Sequence, residues 1–463
     1  MAQAHLDRLT SVDAGFLHLE EDGAHMHIGA VGVFPGPAPS IEAFRAHIDA
    51  RLPLLPRYRQ RVQEMPLGTG RPVWVEDASF HLDYHVRHTA LPAPGTQREL
   101  LNLVDRVVGQ RLDRSKPLWE MWLVEGLEGG RWAVVAKTHH AMIDGVSGVD
   151  LMSVLFDLTP DVVDEPPPAW TPAPTPGALG LLADGAQGLL RNVVELSSKG
   201  LGLARHPQEA VRSTVGAVTA LADAAKPLVD PAPKTPLNRK PGPHRKVAIV
   251  DTALADYKAV KASSGATVND VVLTAVAGAL GRFLADRGVD TDDLELRACV
   301  PVSLRSEAKR GALGNEIAIM MAPLPVGTRD ATARLAAVRT SMEHLKSSKQ
   351  AQGAKVLTSL ENALPPAILA RASRLGFSSR LYNLLVTNVP GPQVPIYLLG
   401  RQLEELVPLA FLAPEHTLAI GIISYHGHVT YGLIADADQV PDLDQLARYL
   451  EEALAELVSL SRS

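Results

Sequence analysis

The feature that most constrains the fold is a proline-rich interruption near the middle of the chain. Seven prolines fall within residues 160–176, where the hydrophobic residues follow no period. Proline fixes φ and has no backbone N–H, so such a stretch is typical of an irregular linker that runs over the protein surface. Residues 178–228, which are rich in glycine, alanine and leucine, regain helical spacing. The sequence therefore predicts two folded regions joined by a long proline-rich and helical linker.

Strands and helices occur on both sides of this linker, but they do not alternate regularly. Ser40 and Thr96 are placed to cap helices in the first part, and Thr267 is placed to cap a long apolar helix in the second. A strand at 382–387 is expected to stop at a turn that begins at Asn388. This mixture predicts an α+β fold with two mixed-sheet domains rather than a doubly wound sheet.

The length also favours two domains, because 463 residues exceed one ordinary hydrophobic core. We predict an N-terminal domain at 1–160, a linker at 161–245 and a C-terminal domain at 246–463. The cationic side chains between 234 and 246 are expected to form a solvated basic loop. The alternative is a specific site for an anion, such as a phosphorylated substrate or an acidic membrane surface.

Composition narrows the class of protein. The formal net charge of −6 gives no indication of nucleic-acid binding, and the single cysteine, Cys299, fits a reducing compartment. The N-terminus has no basic-then-apolar signal pattern. The longest apolar run, 271–284, is interrupted by Arg282 and falls short of the roughly 18 residues of a membrane span. We expect an intracellular protein that is soluble or peripherally attached to a membrane.

The residues that point to chemistry are His139-His140-Ala141-Met142-Ile143-Asp144-Gly145. They follow a valine-rich strand at 132–138 and precede residues with helical spacing, so the two imidazoles are expected where a strand ends and a helix begins. A neutral imidazole with an ordinary pKa near 6.5 is suited to accept a proton at neutral pH.

Three other interpretations of this segment are compatible with the residues alone. His140 and Asp144 are one helical turn apart and could ligate a metal, but no third ligand has suitable spacing. Ser147 lies in a segment that resembles a nucleophile elbow but lacks its final glycine, and Cys299 lies in an apolar strand. Finally, the two histidines could be purely structural. Spacing alone leaves these alternatives open.

Further motifs indicate a family. The sequence resembles the bacterial wax ester synthase/diacylglycerol acyltransferase family nearly end to end, in a chloramphenicol acetyltransferase-like superfamily that shares the HHxxxDG segment. The matching segments are Val12–Leu17, Met26–Gly29, Pro117–Trp119, His139–Gly145, Asn269–Asp270, Val302–Arg305, Gly314–Asn315, Asn388–Pro392 and Ser424–Tyr425. The resemblance implies two chloramphenicol acetyltransferase-like domains with the histidine motif in a channel between them. It also implies acyl-CoA as co-substrate, direct transfer through a ternary complex, and neither a cofactor nor a metal.

The resemblance gives the candidate residues their expected roles. His140 is the expected proton acceptor, with His139 and Asp144 orienting its loop and Gly145 allowing the backbone to turn. Asn269 and Asn388 carry amides able to donate to an oxyanion, although Asn269 could serve only as a helix-terminus residue. Arg305 is a candidate partner of Asp144.

The expected acceptor is diacylglycerol, which makes the product a triacylglycerol storage lipid and places the protein in glycerol and lipid metabolism. A long-chain fatty alcohol, giving wax ester, is the alternative acceptor, and a non-catalytic lipid-binding or droplet-coating protein is the alternative class. We expect a cytoplasmic protein attached to the inner face of the membrane or to lipid droplets. The residues expected to make this attachment are 178–196 and the basic loop beyond them.

Overall fold

The computed structural model of the chain describes residues 7–68, 70–142, 154–161, 166–178, 180–182, 230–303, 317–347 and 374–462. Its strands are β1 Asp7–Arg8, β2 His27–Phe34, β3 Gln60–Gln63, β4 Val73–Glu76, β5 Val86–Ala90, β6 Trp119–Leu127, β7 Arg131–His139, β8 Arg245–Ala253, β9 Leu296–Ser303, β10 Ile317–Leu324, β11 Leu384–Pro390, β12 Tyr397–Leu398, β13 Arg401–Gln402, β14 Glu405–Leu409, β15 Leu418–Tyr425 and β16 His428–Asp436. The α-helices are Ser11–Leu19, Ile41–Arg51, Leu82–His85, Gln97–Gly109, Leu254–Ser264, Val268–Asp286, Ala331–Ser347 and Leu443–Arg462.

Two mixed sheets organise these elements, so the predicted α+β class is confirmed. One sheet has the strand order β14-β2-β7-β6-β5, and the other has the order β10-β9-β11-β15-β16-β8. A small three-stranded sheet, β1-β4-β3, lies beside the first. Each large sheet contains both parallel and antiparallel neighbours. The predicted domain limits stay a prediction, because the sheets do not divide cleanly along the chain.

The predicted helix caps are confirmed. Each cap joins residues only three positions apart, so the sequence alone is enough to predict it. The Ser40 side chain accepts a hydrogen bond from the Ala43 N–H at 3.1 Å. Thr96 and Glu99 form a capping box at the start of the 97–109 helix. Thr267 accepts from the Asp270 N–H while the Asp270 carboxylate accepts from the Thr267 N–H, which makes a second capping box.

A strand from the second half of the chain completes the sheet of the first half. The strand β14 pairs antiparallel with β2, with Leu409 opposite Gly29. It reaches this position by crossing the β15–β16 hairpin where two glycines, Gly421 and Gly432, lie opposite each other. A Cβ on Gly432 would lie 1.8 Å from the carbonyl oxygen of Pro408, so only glycine allows the strands to approach this closely. The first sheet is therefore built by both halves.

Two expectations are corrected here. The strand β11 does not stop before Asn388 but continues to Pro390, because residues 385–390 pair in parallel with residues 419–424 of β15. Arg245 is not part of a solvated loop: it is buried, and its guanidinium donates to the carbonyl oxygens of Gly242, His244 and Gly23. The backbone oxygens compensate this charge and tie the start of β8 to the first half of the chain.

Among the described residues, one helix, Val268–Asp286, is long and apolar enough to cross a bilayer. Its most apolar stretch is 78% buried within the protein, where it packs beneath the six-stranded sheet and against the 443–462 helix. These contacts identify it as the central core helix of the second half. Most of residues 178–196 lie outside the described residues, but Leu181 packs against Met65 and Val73 of the small sheet.

Candidate active site

The two histidines lie at the carboxyl end of β7, the middle strand of the five-stranded sheet. The predicted strand is confirmed, and it ends at His139 before a 3₁₀ turn at His140–Met142. The backbone N–H of His139 donates to the Leu118 oxygen and that of His140 donates to the Met26 oxygen, each at 2.9 Å. Met26 adopts a φ of 51°, which is uncommon for a residue with a Cβ. Strand pairing and this turn therefore fix the backbone that carries both imidazoles.

His139 is held inside the protein as a neutral ring. Its Nδ1 accepts a hydrogen bond from the Ala141 N–H at 3.1 Å, so in the neutral form the proton is on Nε2. That Nε2 lies 4.0 Å from the Glu20 carboxylate, and both side chains are 1% exposed. Burial, together with the nearby His140, Arg114 and Arg111, lowers the pKa of His139 to about 3. The ring thus closes the turn without carrying charge.

His140 is held between aromatic rings from both halves of the chain. It stacks on Phe16 with ring centroids 4.1 Å apart and meets the edge of Phe411 at 5.5 Å. Its Nδ1 is buried and bonds to no other residue in the described part of the chain, and the residue as a whole is half-buried. Burial lowers the pKa of His140 to about 4, and a hydrogen bond with its own backbone opposes part of that shift. At neutral pH the imidazole is therefore uncharged and available as a base.

Phe16, Phe377 and Phe411 form an apolar cluster around His140. Their ring centroids lie 5.9 to 6.0 Å apart. Phe16 belongs to the 11–19 helix, whereas Phe411 follows β14 and Phe377 belongs to the second half. A cavity of about 410 Å³ lies next to Phe377 and Leu19. The base thus faces apolar surface of the kind that a fatty acyl chain can contact.

The two asparagines lie together on the second sheet. The Asn388 amide donates to the Asn269 Oδ1 at 3.2 Å, and the Asn269 Nδ2 is buried without a hydrogen-bond partner among the described residues. Thr267 and Asp270 make the cap of this helix, so the Asn269 side chain is not needed for it. The amide pair therefore retains an unused donor.

Three of the predicted site residues, Asp144, Gly145 and Arg305, lie outside the described residues. Cys299 is buried, and burial raises the pKa of its thiol to about 12, so the thiolate nucleophile is not available at neutral pH. No group of three or more histidine, cysteine, aspartate or glutamate side chains suited to a metal occurs in the described part of the chain.

Several side chains that shape this site could not be identified from the sequence. Phe16 was quoted within a motif but given no role, and Phe411 was not considered, since their contact with His140 joins residues far apart in the chain. Glu20 was also missed; its carboxylate lies 2.7 Å from Arg111 and 3.6 Å from Arg114, beneath His139. The only signal available for these residues was that Phe16 lies inside a recognisable motif.

The sequence is similar to known proteins along nearly its whole length. A family model for the wax ester synthase/diacylglycerol acyltransferase catalytic domain matches residues 9–272, and the model for the C-terminal domain of the same family matches residues 313–458. A probable diacylglycerol O-acyltransferase of Mycobacterium tuberculosis is 32% identical over 99% of this chain and 97% of its own length. A putative diacylglycerol O-acyltransferase of Mycobacterium bovis is 33% identical over 98% and 99%, respectively.

Solved structures agree with these matches. The wax ester synthase/diacylglycerol acyltransferase from Marinobacter aquaeolei VT8 superposes with a TM-score of 0.71 and 27% identity, covering 99% of this chain and 100% of that one. The first condensation domain of the calcium-dependent antibiotic synthetase superposes with a TM-score of 0.60 at 17% identity, covering 99% and 96%. The second likeness is one of fold alone.

Proposed function

Because the chain belongs to the wax ester synthase/diacylglycerol acyltransferase family and is an acyl-CoA-dependent acyltransferase, we propose that it esterifies diacylglycerol to triacylglycerol. The observation that carries the proposal is the uncharged, half-buried His140 in an apolar aromatic cluster at the end of β7. Such a group can accept a proton from an alcohol next to a fatty acyl chain.

The proposed reaction is a direct transfer with His140 as general base. His140 takes the proton of the acceptor hydroxyl while the hydroxyl oxygen attacks the thioester carbonyl carbon. The tetrahedral intermediate then collapses, the carbon–sulfur bond breaks, and the imidazolium returns the proton to the CoA thiolate. The lowered pKa of His140 keeps the base uncharged before the reaction and makes the imidazolium a strong acid toward the departing sulfur.

The neighbouring residues are proposed to orient this base. His139 is suited to this task because its Nδ1 accepts from the Ala141 N–H inside the same turn. We propose that Asp144 and Gly145 shape the rest of the HHxxxDG loop and that Arg305 pairs with Asp144. For the oxyanion, the unused amide donor of the Asn269–Asn388 pair supports a role in accepting negative charge.

The choice of acceptor rests on the relatives. The two mycobacterial relatives bear the name diacylglycerol O-acyltransferase, which favours diacylglycerol. The name of the Marinobacter enzyme includes wax ester synthase, so a long-chain alcohol is the second candidate acceptor. A non-catalytic lipid-binding or droplet-coating role is less consistent with the chain, because an uncharged base would have no purpose in such a protein.

The proposed location follows from the product, since triacylglycerol does not dissolve in water. We propose peripheral attachment of a cytoplasmic protein to the inner face of the membrane or to a lipid droplet, through residues 178–196. Arg245 is excluded from this role by its burial, so the basic contribution falls to its exposed neighbours. Deletion of 178–196 should release the protein from sedimented membranes; unchanged sedimentation contradicts this attachment.

The function is tested by measuring release of the CoA thiol from palmitoyl-CoA, with diacylglycerol and hexadecanol offered in parallel. We expect faster release with diacylglycerol and formation of triacylglycerol. Faster release with hexadecanol would make the chain a wax ester synthase. Absence of release with either acceptor, from a folded protein, would favour the lipid-binding alternative.

A further inference from the structure

A cavity beside the 11–19 helix lies at the junction of the two halves of the chain. We propose that it is the entrance for the acyl acceptor, and that it admits an uncharged glycerolipid rather than acyl-CoA. This inference rests on the proposed function and deepens it, because it assigns one of the two substrates to one opening.

The cavity is lined by both apolar and charged side chains. Its volume is about 410 Å³, which is within the size range of small-molecule binding sites. The first half of the chain lines it with Leu19 and Glu21, and the second half with Arg374, Leu375, Phe377 and Glu415. Leu375 is 61% exposed at this opening, so an apolar side chain faces solvent there.

The cavity borders the aromatic cluster that holds the base. Phe377 lines the cavity and packs against Phe16 at 5.9 Å and against Phe411 at 6.0 Å. Both of those rings contact His140. A lipid chain that lies against Leu375 and Phe377 is therefore separated from His140 only by the rings of Phe16 and Phe411.

Charge decides which substrate uses this opening. The phosphates of CoA require arginine or lysine side chains, which bind phosphate by charge-assisted hydrogen bonds. The described lining residues offer one guanidinium, Arg374, against two carboxylates, Glu21 and Glu415. Hydrogen bonds from the hydroxyl and backbone N–H of Ser379 lower the pKa of Glu415, so this group is a carboxylate at neutral pH. The described lining residues therefore carry one more negative than positive charge, so they offer little attraction to a polyanion and are compatible with an uncharged glycerol backbone.

The first test replaces the exposed leucine by a charged residue. In Leu375→Asp, we expect kcat/KM for diacylglycerol to fall about tenfold, because an apolar contact is replaced by a hydrated carboxylate. The KM for palmitoyl-CoA at saturating diacylglycerol should not change. The matched control is Leu158→Asp, whose leucine is 74% exposed and does not line this cavity. A raised KM for palmitoyl-CoA, or no effect on either substrate, overturns the assignment.

The second test adds a positive charge to the rim. In Glu21→Lys, we expect the KM for palmitoyl-CoA and its dependence on salt to stay at the wild-type values, because the phosphates do not approach this opening. A lower KM for palmitoyl-CoA that salt abolishes would show that the donor enters here, and it would overturn the proposal.

The same experiments separate this inference from the proposed function. If the wild-type enzyme uses hexadecanol and not diacylglycerol, the proposed acceptor is wrong, and the Leu375→Asp series is repeated with hexadecanol. A selective fall in kcat/KM for hexadecanol then upholds the entrance for an uncharged acceptor, and a selective change in KM for palmitoyl-CoA refutes it.

Discussion

The two large sheets bury very different side chains. At the end of the five-stranded sheet, the buried residues include Lys137, Glu120, Glu20, His27 and His139. Beneath the six-stranded sheet, the 268–286 helix buries an almost entirely apolar surface, apart from Asp270, Thr274 and its small residues. Burying polar groups is costly unless they are paired, so their concentration at one sheet end marks the region organised for chemistry. The core beneath the second sheet is mainly apolar, although Arg245 on β8 and Asp436 on β16 are also buried.

The largest expected effect comes from removing the base. His140→Ala should lower kcat by about 10²–10⁴-fold, the typical contribution of a general base. The thermal unfolding temperature should change little, because His140 makes no hydrogen bond to another side chain in the described part of the chain. His88→Ala is the matched control, since His88 pairs with Glu125 on the surface of the same sheet. Activity of His140→Ala near that of this control would contradict the mechanism.

The second largest effect, a loss of stability, is expected from breaking the buried ion pair of the first sheet. The Lys137 Nζ lies 2.7 Å from the Glu120 carboxylate and donates to the carbonyl oxygens of Val107 and Gln110. Lys137→Met should lower the free energy of unfolding by about 3 kcal/mol, because it leaves the buried Glu120 carboxylate with Arg87, at 3.3 Å, as its remaining cationic partner among the described residues. In the second half, Arg329→Met removes an exposed pair with Asp292 and should cost less than about 1 kcal/mol. Equal losses in urea unfolding would remove the contrast between the sheets.

The two large sheets are connected where β14 crosses the β15–β16 hairpin at Gly421 and Gly432. Gly432→Ala places a Cβ in contact with the Pro408 carbonyl and should displace β14, at a cost of about 1–3 kcal/mol of unfolding free energy. Because Phe411 follows β14, we also expect lower kcat. Gly177→Ala is the control, since a Cβ there meets nothing within 4 Å. Loss of stability with unchanged kcat would show that the strand position does not affect His140.

Lowering the pH should destabilise the five-stranded sheet more than the six-stranded sheet. Burial lowers the pKa of His25 and His140 to about 4, that of His139 to about 3 and that of His27 well below 6.5. In the unfolded chain these groups titrate near 6.5, so the unfolded state binds more protons between their folded and unfolded pKa values. The contribution of these histidines to stability is therefore complete above pH 6.5 and falls as the pH decreases toward 4.

Hydrogen exchange can localise this loss. On lowering the pH from about 7.5 to about 5, protection of β2 and β7 should fall more than that of β15 and β16. The second half is not free of such groups, since the pKa of His416 is also lowered by burial, but its ring bonds to the carbonyl oxygens of Tyr382 and Pro414. A uniform loss of protection would contradict the unequal distribution of titrating groups.

Local features of the fold could be predicted from the sequence because they depend on residues close in the chain. The caps at Ser40, Thr96 and Thr267 and the strand before His139 are of this kind. The pairing of β14 with β2 could not be predicted, since it joins residues more than 370 positions apart, such as Leu409 and Gly29. The extension of β11 through Pro390 depends on β15 in the same way.

The candidate site also combines features that the sequence predicts with features that only the tertiary structure shows. The position of His139 and His140 at a strand end followed from the local pattern, and their family roles followed from resemblance. The aromatic contacts of His140 and the pairing of Asn269 with Asn388 required the tertiary structure. The burial of Arg245 contradicts the expected solvated loop, because the carbonyl oxygens of Gly242 and His244, together with that of the distant Gly23, replace water around its charge.

The strand β14 also limits how the chain can be divided. A fragment ending at residue 245 would lack β14, and the strand β2 would then present unpaired N–H and C=O groups along its outer side. Such a side is a template for pairing with any other strand in solution. Expressed alone, the first half is therefore expected to self-associate, and mixing it with the separately expressed second half should restore a soluble complex only if β14 can insert beside β2.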